Sequence, residues 1–202
     1  MSPRGRSPPQ FMEKPVSRAA LHKENLVQTA MRLFRRQGFA ATGLQQILTE
    51  SGAPKGSLYH YFPGGKDALA VAAVELAGRL ISEELDRLAQ QVESPEALLA
   101  AYADTLGRWM EEGRFTSGSP ITTVLLECAP RNEAVTAVGR AAHDDWIRII
   151  AEVYRTAGLE AEEAQERAEM AIISFEGALI LARVRESAAP LHLVARRLAG
   201  LG

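Results

Sequence analysis

ATGLQQILTESGAPKGSLYHYFPGGKDAL, residues 41–69, decides how the chain is read. From Gly52 to Lys66 it carries four glycines and two prolines, yet it also holds Tyr59, His60, Tyr61 and Phe62 in one run. A buried helix avoids such glycines, and a flexible linker has no use for such an aromatic cluster. Thr42 with Gln45 three residues on reads as a capping box, so a helix is expected from Thr42. Leu44, Ile47 and Leu48 would form its inner face, and Gly52 would end it. Pro54 suits the first turn of a further short helix running to Tyr61 or Phe62. Leu58 and Phe62, four apart, would point inward from it. Two short helices joined at Gly52 make a helix-turn-helix.

Upstream, Leu26, Ala30, Leu33 and Phe34 recur at helical spacing between Ser17 and Gln37. Gly38 supplies a stop, and Phe39 the apolar contact that often follows a glycine cap. The head is therefore expected to be a three-helix unit over residues 19–65. Residues 1–66 hold ten Lys and Arg against three acids; the remainder holds thirteen against twenty-two. A basic head on an acidic body suggests a head that meets a polyanion.

In such a motif the second helix enters the major groove of DNA. Gly56 weakens a helix by ~1 kcal/mol relative to alanine, and offers no side chain where backbone approaches DNA. Lys55 and Ser57 flank it within reach of base edges or phosphate. Tyr59, His60 and Tyr61 add hydroxyl and ring donors. Lys66 follows the Gly64-Gly65 turn at a helix start, where an anion is already favoured. Singly, each has an ordinary reading, since tyrosines cover core edges and a lone lysine is solvated. Their joint placement favours DNA.

The stretch 41–69 resembles the DNA-binding signature of the tetracycline-repressor (TetR) family, and with the preceding helix the resemblance covers about the first third of the chain. It implies Thr42 as a helix-cap phosphate contact and Gln45, Lys55, Gly56 and Ser57 as groove contacts. Tyr59, Tyr61 and Lys66 would meet phosphates, and His60 either. Leu48 stands where the family usually has alanine, Tyr61 where histidine is frequent, and the Pro63-Gly64-Gly65 link is one residue longer than the common form. That link resembles the branch of lincomycin-resistance-type and flavonoid-responsive repressors. SGSPITTVLLECAP (117–130) and EGALILARVRESAAPL (176–191) resemble the same branch.

The remaining chain, 66–202, reads as all-helical, with helices near 66–92, 95–112, 120–128, 132–156, 161–187 and 190–200. The fold class is all-α: a helix-turn-helix domain fused to a larger C-terminal helical ligand-binding and dimerisation domain. Residues 1–18 are basic and proline-rich and are expected to form a disordered arm. They lack the apolar core of a signal peptide, and no apolar run approaches membrane-spanning length. One cysteine, Cys128, cannot form an internal disulfide, which fits a cytoplasmic protein. It reads as a small buried hydrophobe or, alternatively, a reactive thiol.

A short recognition helix binds weakly alone, so a homodimer is expected, spanning half-sites about 34–36 Å apart. Ala171, Ser174, Ala178 and Ala182 form a stripe of small residues, with Phe175, Leu179, Leu191, Val194 and Leu198 to fill around it. The resemblance implies a four-helix bundle between subunits there; an ordinary intrachain core face is the alternative. Tyr102, Trp109, Met110, Phe115, Thr122, Thr123, Glu127, His143, Trp146, Ile147 and Phe175 have the aromatic and polar mix of a small-molecule pocket. Each also reads as core. His143, Asp144 and Asp145 are adjacent on a helix and diverge, so no metal is expected, and no cofactor. The four histidines are scattered and suggest no enzyme. The resemblance implies a homodimeric repressor released from double-stranded palindromic operator DNA by a small apolar or aromatic effector. A ligand-independent regulator or architectural DNA-binding protein is the alternative.

Overall fold

The structure, a computed structural model, describes residues 18–119 and 121–200. The arm expected over residues 1–18 lies, but for Arg18 at the first helix, outside the described residues. All regular structure among the described residues is helical: α1 (Arg18–Gln37), α2 (Leu44–Ser51), α3 (Lys55–Tyr61), α4 (Gly65–Ala89), α5 (Pro95–Glu112), α6 (Thr122–Cys128), α7 (Glu133–Thr156), α8 (Ala161–Arg185) and α9 (Ala189–Ala199). None of them is long and apolar enough to cross a membrane.

The starts and stops follow from local chemistry. Ser94 accepts the Ala97 N–H at 3.2 Å, and Asn132 accepts that of Val135 at 3.1 Å, each satisfying a donor that a helix leaves open. Gly52 closes α2 in the left-handed region at φ 64, where a Cβ would be penalised. One expected cap is corrected. Gly43, not Thr42, is the N-cap of α2, and no side chain caps it. Thr42 is fully buried, and its hydroxyl donates back to the Gly38 carbonyl at 2.7 Å.

The head packs α2 and α3 against α1, with Leu26, Leu33, Phe34, Ile47 and Leu58 wholly buried between them. α4 leaves the head and runs as one rod of 25 residues into the body, where it lies along α7. Trp146 of α7 is 1 % exposed, and its indole N–H donates to the Gly78 carbonyl of α4 at 3.0 Å. A Cβ at Gly78 would meet that of Ala142 at 2.8 Å, so the glycine lets the two helices close. Ser82 of α4 donates to Asp145 of α7 at 2.5 Å. That bond, with those from Arg148, holds the Asp145 carboxyl below its usual range. α8 covers α7, and α9 folds back between α8 and α5.

Replacing Trp146 removes both a large buried surface and a buried hydrogen bond. Trp146→Ala is expected to destabilise the protein by about 3–5 kcal/mol, and Trp146→Phe by roughly 1–3 kcal/mol. Urea unfolding followed by circular dichroism checks both values.

Candidate nucleic-acid interface

α3 has seven residues and a single buried side chain, Leu58; Phe62, 4 % exposed, seals its end. These two pin the helix, so its other side chains project outward. Lys55, Gly56, Tyr59 and His60 are exposed, Tyr59 to 53 %, and Ser57 is half-buried. Gln45 of α2 is exposed on the neighbouring helix. No side chain in the described chain hydrogen-bonds or ion-pairs with those of Gln45, Lys55, Ser57 or Tyr59. His60 makes only an edge-on ring contact with Tyr61, centroids 4.8 Å apart. This surface offers amide, ammonium, hydroxyl and imidazole groups, with open backbone at Gly56 between them.

Three residues expected at this surface sit elsewhere. Thr42 is buried and committed to Gly38, so it cannot contact phosphate. Tyr61 is half-buried and lies against the core beside α4. Lys66 donates to the Ala40 carbonyl at 3.2 Å, with its ammonium 4.3 Å from the centre of the Phe39 ring. Its charge supports the α1–α2 turn. Sequence spacing placed Tyr61 and Lys66 on their helices but did not show which way their side chains turn, and it placed Thr42 on a helix that begins after it.

The expected pocket residues divide between the core and several grooves. Tyr102, Met110, Trp146 and Phe175 are between 1 % and 4 % exposed in the core. Tyr102 packs edge-on against Phe175 at 5.1 Å, and burial, then the charge of Glu176, pushes its phenol above the ordinary value. Glu127 borders a groove beside α6 and is also engaged with the head: it accepts the backbone N–H of Phe39 at 2.9 Å and of Ala40 at 2.6 Å. Phe115 sits in a left-handed turn after α5. Trp109 lines a different groove, between α1, α4 and α5, with Met31, Leu80 and Ile81.

A cleft of about 710 Å³ does open between α6, α7 and α8. Thr122, His143 and Ile147, candidates from the sequence, line it together with Leu125, Pro130, Glu169, Ile172 and Glu176, which the sequence did not single out. Thr123 lines a smaller groove of about 310 Å³ beside it. Glu176 borders both, accepting from Ser119 at 3.0 Å and Thr122 at 2.5 Å. The cleft is apolar with a carboxylate edge. Cys128 is buried, and burial raises its thiol pKa, which suits a packing role. No group of three metal-ligating side chains exists among the described residues.

The stripe expected between subunits faces inward. Ala171, Phe175, Ala178, Leu179, Ala182 and Leu191 are at most 6 % exposed within this one chain, packed against α5, α7 and α9. Ser174, Val194 and Leu198 are half-buried. The opposite side of α8 carries Met170, Ile173, Ile180, Leu181 and Val184, all 46–74 % exposed, with Leu193 of α9 at 45 %. α8 is apolar on both sides, so periodicity did not select one.

Residues 26–73 match the family described as bacterial regulatory proteins, tetR family. Residues 95–197 match the transcriptional regulator LmrA/YxaF-like C-terminal domain. The chain belongs to the TetR family. Within it, the C-terminal match places the body with LmrA and YxaF, and the protein is a DNA-binding transcriptional regulator. It is 36 % identical over 184 residues to the HTH-type transcriptional regulator Rv0196 of Mycobacterium tuberculosis strain H37Rv, covering 89 % of this chain and 93 % of that one. The crystal structure of a TetR regulatory protein from Rhodobacter sphaeroides shares the fold at a TM-score of 0.79 and 24 % identity, covering 88 % of this chain and 97 % of that one. A cysteine-substituted TetR-family regulator, CifR, solved with 26bp double-strand operator DNA, superposes at a TM-score of 0.72 and 20 % identity, over 95 % and 97 % of the two chains.

Lys55→Ala and Tyr59→Ala should each weaken binding to a selected DNA fragment by about five- to a hundredfold, the ~1–3 kcal/mol of a specific contact. Thermal melting should be unchanged in both. Thr42→Val should do the reverse, lowering the melting temperature through loss of a buried hydrogen bond. Fluorescence anisotropy and scanning calorimetry separate the two outcomes.

Proposed function

We propose that the chain is a homodimeric repressor whose two heads occupy successive major grooves of a palindromic operator. A small molecule held in the α6–α7–α8 cleft would release it. In this reading α3 is the helix in the groove: Lys55, Gly56, Ser57, Tyr59 and His60 face DNA, with Gln45 beside them. Residues 19–65 serve as the DNA-binding domain and residues 66–202 as the effector and dimerisation domain. Work on the chromosome places the protein in the cytoplasm.

The observation that carries this reading is the uncovered apolar side of α8. Met170, Ile173, Ile180 and Val184 recur at helical spacing, and all are more than half exposed. Fully burying one such side chain is worth about 1.5–3 kcal/mol. A two-fold contact buries each of them twice, because the same patch is used on both subunits. Gly177, in the middle of the stripe with nothing within 4 Å of its Cβ position, lets a second α8 approach closely. DNA sites read by paired helix-turn-helix units demand such symmetry.

The cleft sets the ligand chemistry. Its walls are Leu125, Leu126, Pro130, Ile147, Ile172 and Ile173, and its polar edge includes Glu169 and Glu176. Carboxylates accept hydrogen bonds and repel anions. The effector is therefore an apolar or aromatic molecule presenting hydroxyl or ammonium donors, and not a carboxylate. It releases DNA only if it binds the off-operator arrangement more tightly than the operator-bound one.

Ile173→Glu together with Val184→Glu should convert the dimer to a monomer in sedimentation velocity. The same change should weaken operator binding by at least about tenfold, since each head then binds alone. DNA fragments retained by the purified wild-type protein would then be challenged with apolar amines, polyphenols and aromatic carboxylates. Release by members of the first two classes only is expected; a monomeric wild type, or binding indifferent to all three classes, would refute the scheme.

A further inference from the structure

α6 is seven residues long, yet both of its ends are tied to other parts of the molecule by carboxylates. At its start, Glu176 of α8 accepts hydrogen bonds from Ser119 and Thr122. Near its finish, Glu127 reaches out of the body into the head. Its two oxygens take separate backbone donors, Phe39 N–H at 2.9 Å and Ala40 N–H at 2.6 Å, in the turn between α1 and α2. Bonds from backbone amides to an ionised carboxylate are among the stronger hydrogen bonds proteins make. Ala40 is held from its other side as well, because Lys66 of α4 donates to its carbonyl at 3.2 Å. One peptide segment of the head is thus gripped by body side chains of opposite charge.

The sequence of the turn accommodates this grip. Gly38 lies at φ +90, and a Cβ built there would overlap a Glu127 carboxylate oxygen. The glycine thus serves the close approach as well as the left-handed backbone. Elsewhere, Leu125 of α6 fills a niche over Gly139 of α7 that a Cβ would abolish. The placement of α6 is therefore dictated by α7 and α8, and Glu127 transmits that placement to the head.

We propose that Glu127 is a positioning residue for DNA recognition: it sets the orientation of the head on the body, and through it the operator half-site spacing that the dimer accepts. Without this clasp the head keeps the packing of α1 along α4, the bond from Lys66 to the Ala40 carbonyl, and that from Arg35 of α1 to the Gly118 carbonyl at 2.9 Å. Those contacts hold α1 on the body; Glu127 adds the tie from α6 to the α1–α2 turn, and its two oxygens on successive amides fix the angle of that turn. Base pairs are about 3.4 Å apart along the duplex and about ten make a turn; a head free to follow both the step and the turn would tolerate one base pair more or less between half-sites. The inference rests on the two-fold repressor reading above.

The test uses the full-length protein and an operator isolated with the wild type. Affinity is measured by anisotropy for that operator, for versions with one central base pair added or removed, and for unrelated duplex. Wild type should lose at least about thirtyfold on the altered spacings, where ~1.4 kcal/mol is a factor of ten. Glu127→Ala should bind the operator at least tenfold more weakly, and its spacing penalty should shrink to threefold or less. Its affinity for unrelated duplex and its dimerisation should stay at wild-type values. Glu127→Gln, which keeps one acceptor oxygen, should fall between. Amide hydrogen exchange at Phe39 and Ala40 should quicken in Glu127→Ala. An unchanged spacing penalty, or an equal loss on all DNA including unrelated duplex, overturns the proposal. If wild type selects no DNA fragment, the repressor reading fails on its own; unquickened exchange at Phe39 and Ala40 then overturns the clasp independently.

Discussion

A helix of seven residues closes too few internal hydrogen bonds to hold itself together in water, and Lys55–Tyr61 is such a helix. Its persistence depends on Leu58, wholly buried, and on Phe62 just beyond its end. Those two side chains dock it on α1, and α1 is in turn packed against α4. The exposed groups of α3 inherit their placement from this docking. Tyr59 and Lys55 project because the residues between and after them are committed inward. Loss of the inward pair would remove the helix without touching any of its exposed side chains.

The charged side chains around the head divide into two uses. Lys55 stays unengaged at the surface. Lys66, Arg35 and Glu127, by contrast, are spent on backbone groups that join head to body. Arg32 and Glu50, 2.7 Å apart, tie α1 to α2 on the outside of the head. Counting basic residues over the first 66 positions therefore overstates how many can meet phosphate. The excess positive charge still favours a polyanion at long range, but only part of it lies on the reading face.

The body shows the same economy. Its largest fully buried side chain, Trp146, seals α7 on α4 and does not line the cleft. The cleft lies one layer outward, between α6, α7 and α8, where aliphatic side chains meet the Glu169 and Glu176 carboxylates. Ile173 belongs to both the cleft lining and the exposed side of α8. The small residues of α8 let it settle closely against α5, α7 and α9, which frees its bulkier apolar side for contact outside the chain.

Helix punctuation was legible in the residues themselves. Gly38, Gly52, Ser94 and Asn132 act through their immediate neighbours, so the order and extent of the helices, the helix-turn-helix and the inward Leu58 and Phe62 could be read directly. The Thr42 cap failed because the helix begins one residue later, at Leu44 after Gly43, and the buried Thr42 hydroxyl donates back to the Gly38 carbonyl without accepting a helix N–H. Which side of α8 is covered, and where Glu127 and Lys66 reach, also lay beyond local pattern. A helix apolar on two sides satisfies its periodicity either way up, and a long charged side chain can reach partners tens of residues away in the chain. Only the packing of α5, α7 and α9 settles the first, and only the nearness of α6 and α4 to residues 38–40 settles the second.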